Sequence, residues 1–127
     1  MTGLDMSIVD ISAMNLSASN LTNANWFHTK SGYFVAPIDP TLSSGYVVRS
    51  DGLGNKFIIG QTVDLSGYTL SNVDLTQTDL SGTILTSTDM STTTLNSART
   101  GYWFADQNPT VPSGYSIRTD AIGNKYI

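Results

Sequence analysis

The sequence predicts an all-β fold made of repeated units, and three observations support this prediction. The composition is poor in strong helix formers, since aspartate occurs ten times, glutamate never, and lysine and arginine together six times. Apolar residues recur every five positions over two long stretches. A 69-residue unit occurs nearly twice in the 127 residues. Repetition on two scales is typical of proteins that stack one small structural unit on the next.

The composition also excludes several classes of protein. Without cysteine the chain has no disulfide, no cysteine-based metal site and no thiol nucleophile. No apolar run approaches the roughly 18 residues of a membrane span, and the first residues do not resemble a signal peptide. A net charge of −4 without basic clusters argues against direct binding to nucleic acid. We therefore expect no direct nucleic-acid partner and no membrane partner, and a location in the cytoplasm unless the chain belongs to a larger particle.

The five-residue period has one large apolar residue per unit, which we call position i. In the first stretch these residues are Met6, Ile11, Leu16, Leu21 and Trp26. In the second stretch they are Leu65, Leu70, Leu75, Leu80, Leu85, Met90 and Leu95. This period fits neither an α-helix nor a flat strand, but it fits a short strand followed by a corner. Because alternate residues of a strand point the same way, positions i and i−2 should face inward and the other three should face water.

The outward positions explain the unusual polar composition. Position i−1 is most often aspartate or asparagine, and its neighbours are rich in serine and threonine, which number 33 in all. At a corner, a short side chain that carries an oxygen can bond to nearby backbone. We therefore expect aspartate to serve repeat corners and turns, which would account for its use in place of glutamate.

Four stretches carry a resemblance to a known family. They are SNLTNANW at 19–26, VDLSG at 63–67, VDLTQTDLSG at 73–82 and TDMST at 88–92. These stretches resemble the pentapeptide-repeat family, whose consensus is roughly Ala-(Asp/Asn)-Leu-x-x. The resemblance implies a right-handed quadrilateral β-helix with four pentapeptides per coil. Residues 20 apart would then stack, which pairs Asp64 with Ile84, Thr69 with Asp89, Asp74 with Thr94 and Asp79 with Arg99.

A longer repeat divides the chain. Segment 31–58 aligns with segment 100–127 at an offset of 69 without gaps, and fourteen of the 28 positions are identical. We therefore predict a single solenoid domain, 1–127, in which pentapeptide blocks alternate with inserts. The parts are block 1 (4–27), insert 1 (28–62), block 2 (63–99) and insert 2 (100–127).

Each insert is expected to contain a β-hairpin. Segments 46–49 and 56–59 flank a turn with two glycines, which can adopt a positive φ. The second copy repeats this pattern with Ile117, Arg118, Lys125 and Tyr126. Ser-Gly-Tyr and Gly-Asn-Lys inserts of this kind resemble those between pentapeptide blocks of predicted bacterial and viral proteins.

The sequence offers little material for chemistry. His28 is the single histidine, which is too few for a transition-metal site, and no Gly-x-Ser-x-Gly elbow supports a Ser-His-Asp triad. Asp51 and Asp120 lie in Asp-x-x-Gly-Asn turns that lack the ligand density of a calcium loop. We predict no catalytic residue, no cofactor and no metal, and a protein that is not an enzyme.

The inserts hold the candidate contact residues, which are aromatic or arginine. Aromatic residues are enriched at protein interfaces, although they could equally fill a small core under each insert. The candidates are Tyr33, Phe34, Tyr46, Arg49, Tyr102, Trp103, Tyr115 and Arg118.

The leading hypothesis for function is a noncatalytic structural or assembly module that binds neighbouring protein chains. Neither end of the chain shows a capping helix, although uncovered coil ends expose unpaired strand edges. A neighbouring copy or another protein could cover these ends, unless the chain is truncated or the inserts cap the coils. The insert resemblance suggests a capsid decoration or fibre element of a virus particle. The alternative is a soluble regulator that binds a partner protein, including a gyrase-directed protein whose acidic surface imitates DNA.

Overall fold

The computed structural model describes residues 3–99 and 103–127. Within these ranges the chain forms short β-strands, β-bridges and turns, and no helix. The strands are β1 (Asn20–Leu21), β2 (Gly32–Phe34), β3 (Thr41–Leu42), β4 (Val47–Ser50), β5 (Lys56–Ile59), β6 (Arg118–Thr119) and β7 (Lys125–Tyr126). The predicted all-β class is confirmed.

Parallel β-bridges join residues 20 positions apart in both blocks. In block 2 the pairs are Asp64–Ile84, Thr69–Asp89, Asp74–Thr94 and Asp79–Arg99. In block 1 they are Asp5–Asn25, Asp10–Lys30 and Asn15–Val35. The chain therefore returns to the same wall every four pentapeptides, in the register that the sequence predicts. We call residues 5–24, 25–44 and 64–83 coil 1, coil 2 and coil 3.

Coil 2 extends past the predicted end of block 1. Val35 bridges back to Asn15, and β3 pairs with β1 in parallel, with Thr41 beside Asn20. Residues 28–42, which the sequence places in insert 1, thus continue the coil. At Thr41 the spacing grows by one residue, which breaks the five-residue period and hides the continuation in the sequence.

One residue joins the two blocks. Lys30 bridges to Asp10 on one side and to Asp64 on the other. This wall therefore passes from coil 2 directly to coil 3, and the hairpin between them is looped out of the ladder.

The interior is one apolar column, built mainly from the residues at position i and completed by buried residues of the inserts such as Phe57. Each of these side chains is 5% exposed or less, from Met6 in coil 1 to Leu95 in block 2. Burial of a leucine or isoleucine side chain contributes roughly 1.5–3 kcal/mol. The column is therefore the main source of stability.

Position i−2 faces inward in block 2, where threonine often occupies it. The hydroxyls of Thr78 and Thr83 donate to the carbonyls of Leu75 and Leu80, each at 2.7 Å. These bonds satisfy the buried hydroxyls, which would otherwise destabilise the core. In coil 1 the prediction is wrong for Val9 and Met14, which are exposed. They lie in an end coil that no described residue covers from below.

Position i−1 makes the corner bond that the sequence predicts. In nine pentapeptides the side-chain Oδ1 accepts the backbone N–H of the residue two positions later. The acceptors are Asp5, Asp10, Asn15, Asn20, Asn25, Asp64, Asp74, Asp79 and Asp89.

The inserts contain the predicted hairpins. β4 and β5 are antiparallel, with Arg49 opposite Phe57, and β2 pairs with the other edge of β5. In the second copy β6 and β7 are antiparallel, with Arg118 opposite Tyr126. An antiparallel bridge between Trp103 and Lys125 repeats the contact of β2 with β5.

Candidate protein-contact surface

Each hairpin contains a turn, and the two turns have the same hydrogen bonds. In insert 1 the backbone N–H groups of Leu53 and Asn55 donate to Asp51 Oδ1 at 2.9 Å each, and Asn55 Nδ2 donates to Oδ2 at 3.0 Å. Asp120 receives the same three bonds in insert 2, at 3.0, 2.9 and 3.1 Å. Burial acts to raise the pKa of the Asp51 carboxyl, but the hydrogen bonds from Asn55, Leu53 and Gly54 outweigh it and lower that pKa.

A lysine ties each hairpin to the coil beneath it. Lys56 Nζ donates to the carbonyl of Ala36 and pairs with the carboxylate of Asp39. Lys125 Nζ donates to the carbonyl of Ala105 at 3.2 Å and to Asn108 Oδ1 at 2.7 Å. The frame that presents each hairpin is therefore the same in both copies.

The candidate aromatic residues of insert 1 differ in how deeply they are buried. Tyr33 is exposed on one side, while its ring lies 4.9 Å from Tyr68 and 5.5 Å from Phe57. Phe34 is only 4% exposed. Strand alternation explains the difference, since neighbouring residues of β2 point to opposite sides.

Tyr46 packs against block 1. Its ring centroid lies 6.3 Å from that of Trp26, and its hydroxyl donates to the carbonyl of Gln61 at 3.1 Å. Burial raises the pKa of the Tyr46 phenol. The side chain thus stabilises the base of the hairpin and leaves only part of its surface for a partner.

Arg49 binds within the chain. Its Nε donates to the backbone carbonyl of Asp74 at 2.8 Å, which links β4 to coil 3. Hydrogen bonds from Thr76, helped by the nearby Arg49 charge, lower the pKa of the Asp74 carboxyl. In the first copy the arginine is thus a structural link between insert and coil.

In insert 2 the candidates are placed differently. Tyr115 and Arg118 are exposed, whereas Trp103 is 2% exposed. Tyr102 lies outside the described residues. Phe34 and Trp103 are therefore withdrawn as contact residues, because both fill the space under their inserts; the other candidates remain predictions.

The structure adds an exposed apolar ridge that sequence reasoning missed. We give this name to the exposed side chains Ile8, Phe27 and Phe104 together with the half-buried ring of His28, which contacts both phenylalanines. The rings of Phe27 and His28 stack at 3.9 Å, and His28 meets the edge of Phe104 at 6.3 Å. Ile8 joins them through its backbone N–H, which donates to the carbonyl of Phe27 at 2.9 Å. An apolar residue at an outward position of the repeat is the signal that could have found it.

Two further apolar side chains project from the hairpin turns. Leu53 is 83% exposed, and Ile122, its equivalent at the offset of 69, is 84% exposed. Both lie in the rigid turns that Asp51 and Asp120 hold.

Among residues 3–99 and 103–127, no group of three or more histidine or acidic side chains lies close enough to hold a metal ion. The same part of the chain has no helix with the length and hydrophobicity needed to cross a membrane.

Bridges at intervals of 20 residues around an apolar column define a repeat protein of stacked β-coils. The family model for pentapeptide repeats matches residues 63–98 in 8 copies. This match lies in block 2 and confirms the predicted pentapeptide repeats there, for which a β-helix is implied. Comparison with curated proteins gave no match, and comparison with solved structures gave none.

Proposed function

We propose that the protein is a noncatalytic structural or assembly module that binds neighbouring protein chains. The observation that carries this proposal is the rigid presentation of large apolar side chains to solvent. Leu53 and Ile122 project from two identical turns, and Phe27 and Phe104 lie on the apolar ridge. Phe27, His28 and Phe104 are the contiguous part of this surface, through their ring contacts, and contiguous exposed apolar surface marks interaction sites.

The contact residues proposed for this role are the exposed members of the inserts together with the ridge. Tyr33, Tyr115 and Arg118 combine aromatic surface with a planar charge, a composition enriched at the energetic centres of interfaces. Coils that stack into a right-handed, four-sided β-helix over 1–127 would hold these surfaces at fixed spacing. Such a rod suits a decoration or fibre element of a large assembly such as a virus particle.

A stoichiometry measurement tests this proposal. Particles from the natural source are purified, and the chain is quantified by mass spectrometry against a subunit of known copy number. A fixed ratio that survives washing with salt supports an assembly element. Absence of the chain from the particles, while it is abundant in the surrounding fraction, would refute it.

The alternative is a soluble regulator that binds a partner protein, including a gyrase-directed protein whose acidic surface imitates DNA. A DNA mimic needs dense negative charge along its length. Here one wall column runs Asp10, Lys30, Asp64, Ile84 and Phe104, so a cation and two apolar residues interrupt the acids. This distribution of charge argues against a protein that imitates DNA. A supercoiling assay with purified gyrase decides it, since no effect at saturating protein removes the alternative.

A further inference from the structure

The tip of each hairpin is a branched aliphatic residue that the hairpin itself does not require. Leu53 is 83% exposed and Ile122 is 84% exposed, so burial within the chain contributes little at either position. The turn uses only the backbone N–H of each residue, which donates to Asp51 or Asp120. Neither residue has a positive φ that would restrict the side chains allowed there. A polar residue would therefore serve the turn equally well.

Coil 3 packs against the first hairpin and still leaves its tip uncovered. The backbone N–H of Gly52 donates to the carbonyl of Ser71 at 2.8 Å, and Arg49 Nε donates to the carbonyl of Asp74 at 2.8 Å. Leu53 remains exposed beside these contacts. The exposure of the tip is therefore a property of the hairpin with a further coil already packed on it.

The apolar tip is kept in both copies of the insert. Single exposed apolar residues are common and need no explanation, and half of the 28 aligned positions of the two inserts differ. Ile38, which is 65% exposed, is replaced by Gln107 at the offset of 69. Leu53 is replaced only by another branched aliphatic residue, Ile122. This difference indicates that the tip, unlike Ile38, contacts something outside the chain.

The polar groups beside each tip are already bonded within the insert. The carboxylates of Asp51 and Asp120 accept hydrogen bonds from their own turns. Lys56 and Lys125 bind the coil beneath their hairpins. The tip therefore presents mainly apolar surface, and an apolar pocket that holds a leucine or an isoleucine is its complement.

The two hairpins attach on opposite sides of one column of bridged residues. The column runs through Lys30, Asp64, Ile84 and Phe104, and its three spacings of about 4.8 Å place Phe104 roughly 14 Å from Lys30. The first hairpin pairs with β2, which follows Lys30, and the second pairs with Trp103, which precedes Phe104. A small domain is about 30 Å across, so two partners on the same side at this spacing would overlap. The change of side allows both tips to be occupied at once.

One tip alone makes a weak contact. Burial of one leucine or isoleucine side chain raises an association constant roughly 10- to 100-fold, which is small beside the cost of bringing two proteins together. Two tips that bind one assembly raise the overall affinity much further, because the second contact forms within the complex. The partner that suits a duplicated tip therefore carries the same pocket more than once.

We propose that Leu53 and Ile122 insert into the same apolar pocket on two neighbouring copies of one partner subunit. This inference rests on the proposed function and names the partner as a repeated subunit of the assembly that the chain joins. The contact is bivalent, with one hairpin for each subunit.

Site-specific cross-linking tests whether both tips meet the same pocket. A photoreactive diazirine amino acid replaces Leu53 in one sample of the chain and Ile122 in another. Each sample is bound to purified particles that were assembled in the absence of the chain, irradiated and analysed by mass spectrometry. We expect both positions to cross-link to the same segment of one subunit. Cross-links to two different polypeptides would overturn the proposal.

Substitutions measure the contribution of each tip. Leu53→Asn and Ile122→Asn should each raise the concentration of chain needed for half-maximal binding to the particles by at least about tenfold. The double variant should not bind measurably. Ile38→Gln is the matched control, because Ile38 is also an exposed apolar residue, and it should bind as tightly as the wild-type chain. All four variants should keep the wild-type melting temperature, since none of these side chains is buried.

The outcomes separate this inference from the proposed function. A chain that binds the particles at a fixed ratio, and as tightly after Leu53→Asn or Ile122→Asn as before, refutes docking through the tips and keeps the assembly role. Loss of binding in only one of the two single variants refutes the bivalent contact. An equal loss from Ile38→Gln would assign binding to exposed apolar surface in general and also overturn the proposal. A wild-type chain that does not bind the particles removes the proposed function, and the inference with it.

Discussion

At the corner of most pentapeptides, the residue at position i+2 has a left-handed backbone. Gly3, Gly67 and Gly82 adopt this conformation without strain, but eleven residues other than glycine also have a positive φ at such corners. Ile8, with φ at 54°, and Thr62, with φ at 64°, are the least suited of them, because their side chains are branched at Cβ. Residues of this kind hold the conformation at a cost of roughly 1–2 kcal/mol. Since Ile8 is 79% exposed, little burial offsets this cost.

Replacing this residue should stabilise the fold. Ile8→Asn is expected to raise the free energy of unfolding by about 1 kcal/mol, because asparagine tolerates the left-handed region. Urea unfolding at constant temperature measures the change. Ile122→Asn is the control, since Ile122 is equally exposed and its φ is not positive; it should change stability by less than about 0.5 kcal/mol. Equal effects at both sites would show that exposure rather than backbone strain is responsible.

The phenol of Tyr68 should make the stability of the fold depend on pH. Burial raises the pKa of its phenol from 10.0 to about 12. The folded state therefore favours the protonated form, and this contribution to stability is complete below pH 10. It should decline as the pH rises from 10.0 towards about 12.

The variant Tyr68→Phe isolates that contribution. It should be less stable at neutral pH, because the buried N–H of Gly32 loses its acceptor. Between pH 10.0 and about 12 the gap between the two proteins should narrow, since the variant cannot ionise at this position. Urea unfolding over a pH series measures the gap, and a gap of constant size would contradict the assignment.

At the scale of the element, each hairpin depends on one aspartate in its turn. Asp51 and Asp120 accept equivalent bonds, yet coil 3 covers only the first hairpin. Asp51→Ala would leave the N–H groups of Leu53 and Asn55 without their acceptor in a buried setting. The expected loss is about 1–3 kcal/mol.

The paired variant in insert 2 is the control for this prediction. Asp120→Ala removes the same bonds in an exposed turn, where water replaces the acceptor, so its effect should be clearly smaller. Thermal unfolding by circular dichroism compares the two variants. A larger loss from Asp120→Ala would mean that the second hairpin is covered when the measurement is made, which sedimentation of the same sample would detect.

The same elements show how far the sequence alone predicts the structure. The bridges of Asp64 to Ile84 and of Asp79 to Arg99 follow from the period, because register in a repeated coil is set by counting. The hairpins follow from their glycines and from duplication. The sequence does not predict that Phe34 is buried while Tyr33 is exposed, since composition does not show which side of a short strand faces the core. The sequence also does not predict the apolar ridge, because Phe27 and Phe104 come together only when distant coils stack.

At the scale of the whole molecule, the stack keeps its acids apart. The bridged partners of Asp10, Asp79 and Asp89 are Lys30, Arg99 and Thr69, so charge repulsion between coils stays low. Each acid also accepts hydrogen bonds from its own corner. Bonds from Ser7, Ser12 and Ser91 lower the pKa of Asp5, Asp10 and Asp89. For Asp79, burial acts to raise the pKa, but bonds from Ser81 and Gln61 outweigh it.

Acid should therefore unfold the stack through many corners together. Because these pKa values lie below the ordinary 3.8, the folded state favours the charged form. Their contribution to stability is present above that value and is lost as the pH falls through the lowered pKa values. We expect a cooperative loss of structure below pH 3.8, measurable by far-ultraviolet circular dichroism.

The repeat itself supplies the control, since Asn15, Asn20 and Asn25 make the same corner bond without a titrating group. A triple variant, Asp10→Asn with Asp74→Asn and Asp89→Asn, should fold normally at neutral pH because the acceptor oxygen is kept. Its unfolding midpoint should lie at a lower pH than that of the wild-type chain, since three fewer carboxylates must be protonated. Identical midpoints would assign acid unfolding to the remaining carboxylates, such as Asp51 and Asp79, rather than to these three corners.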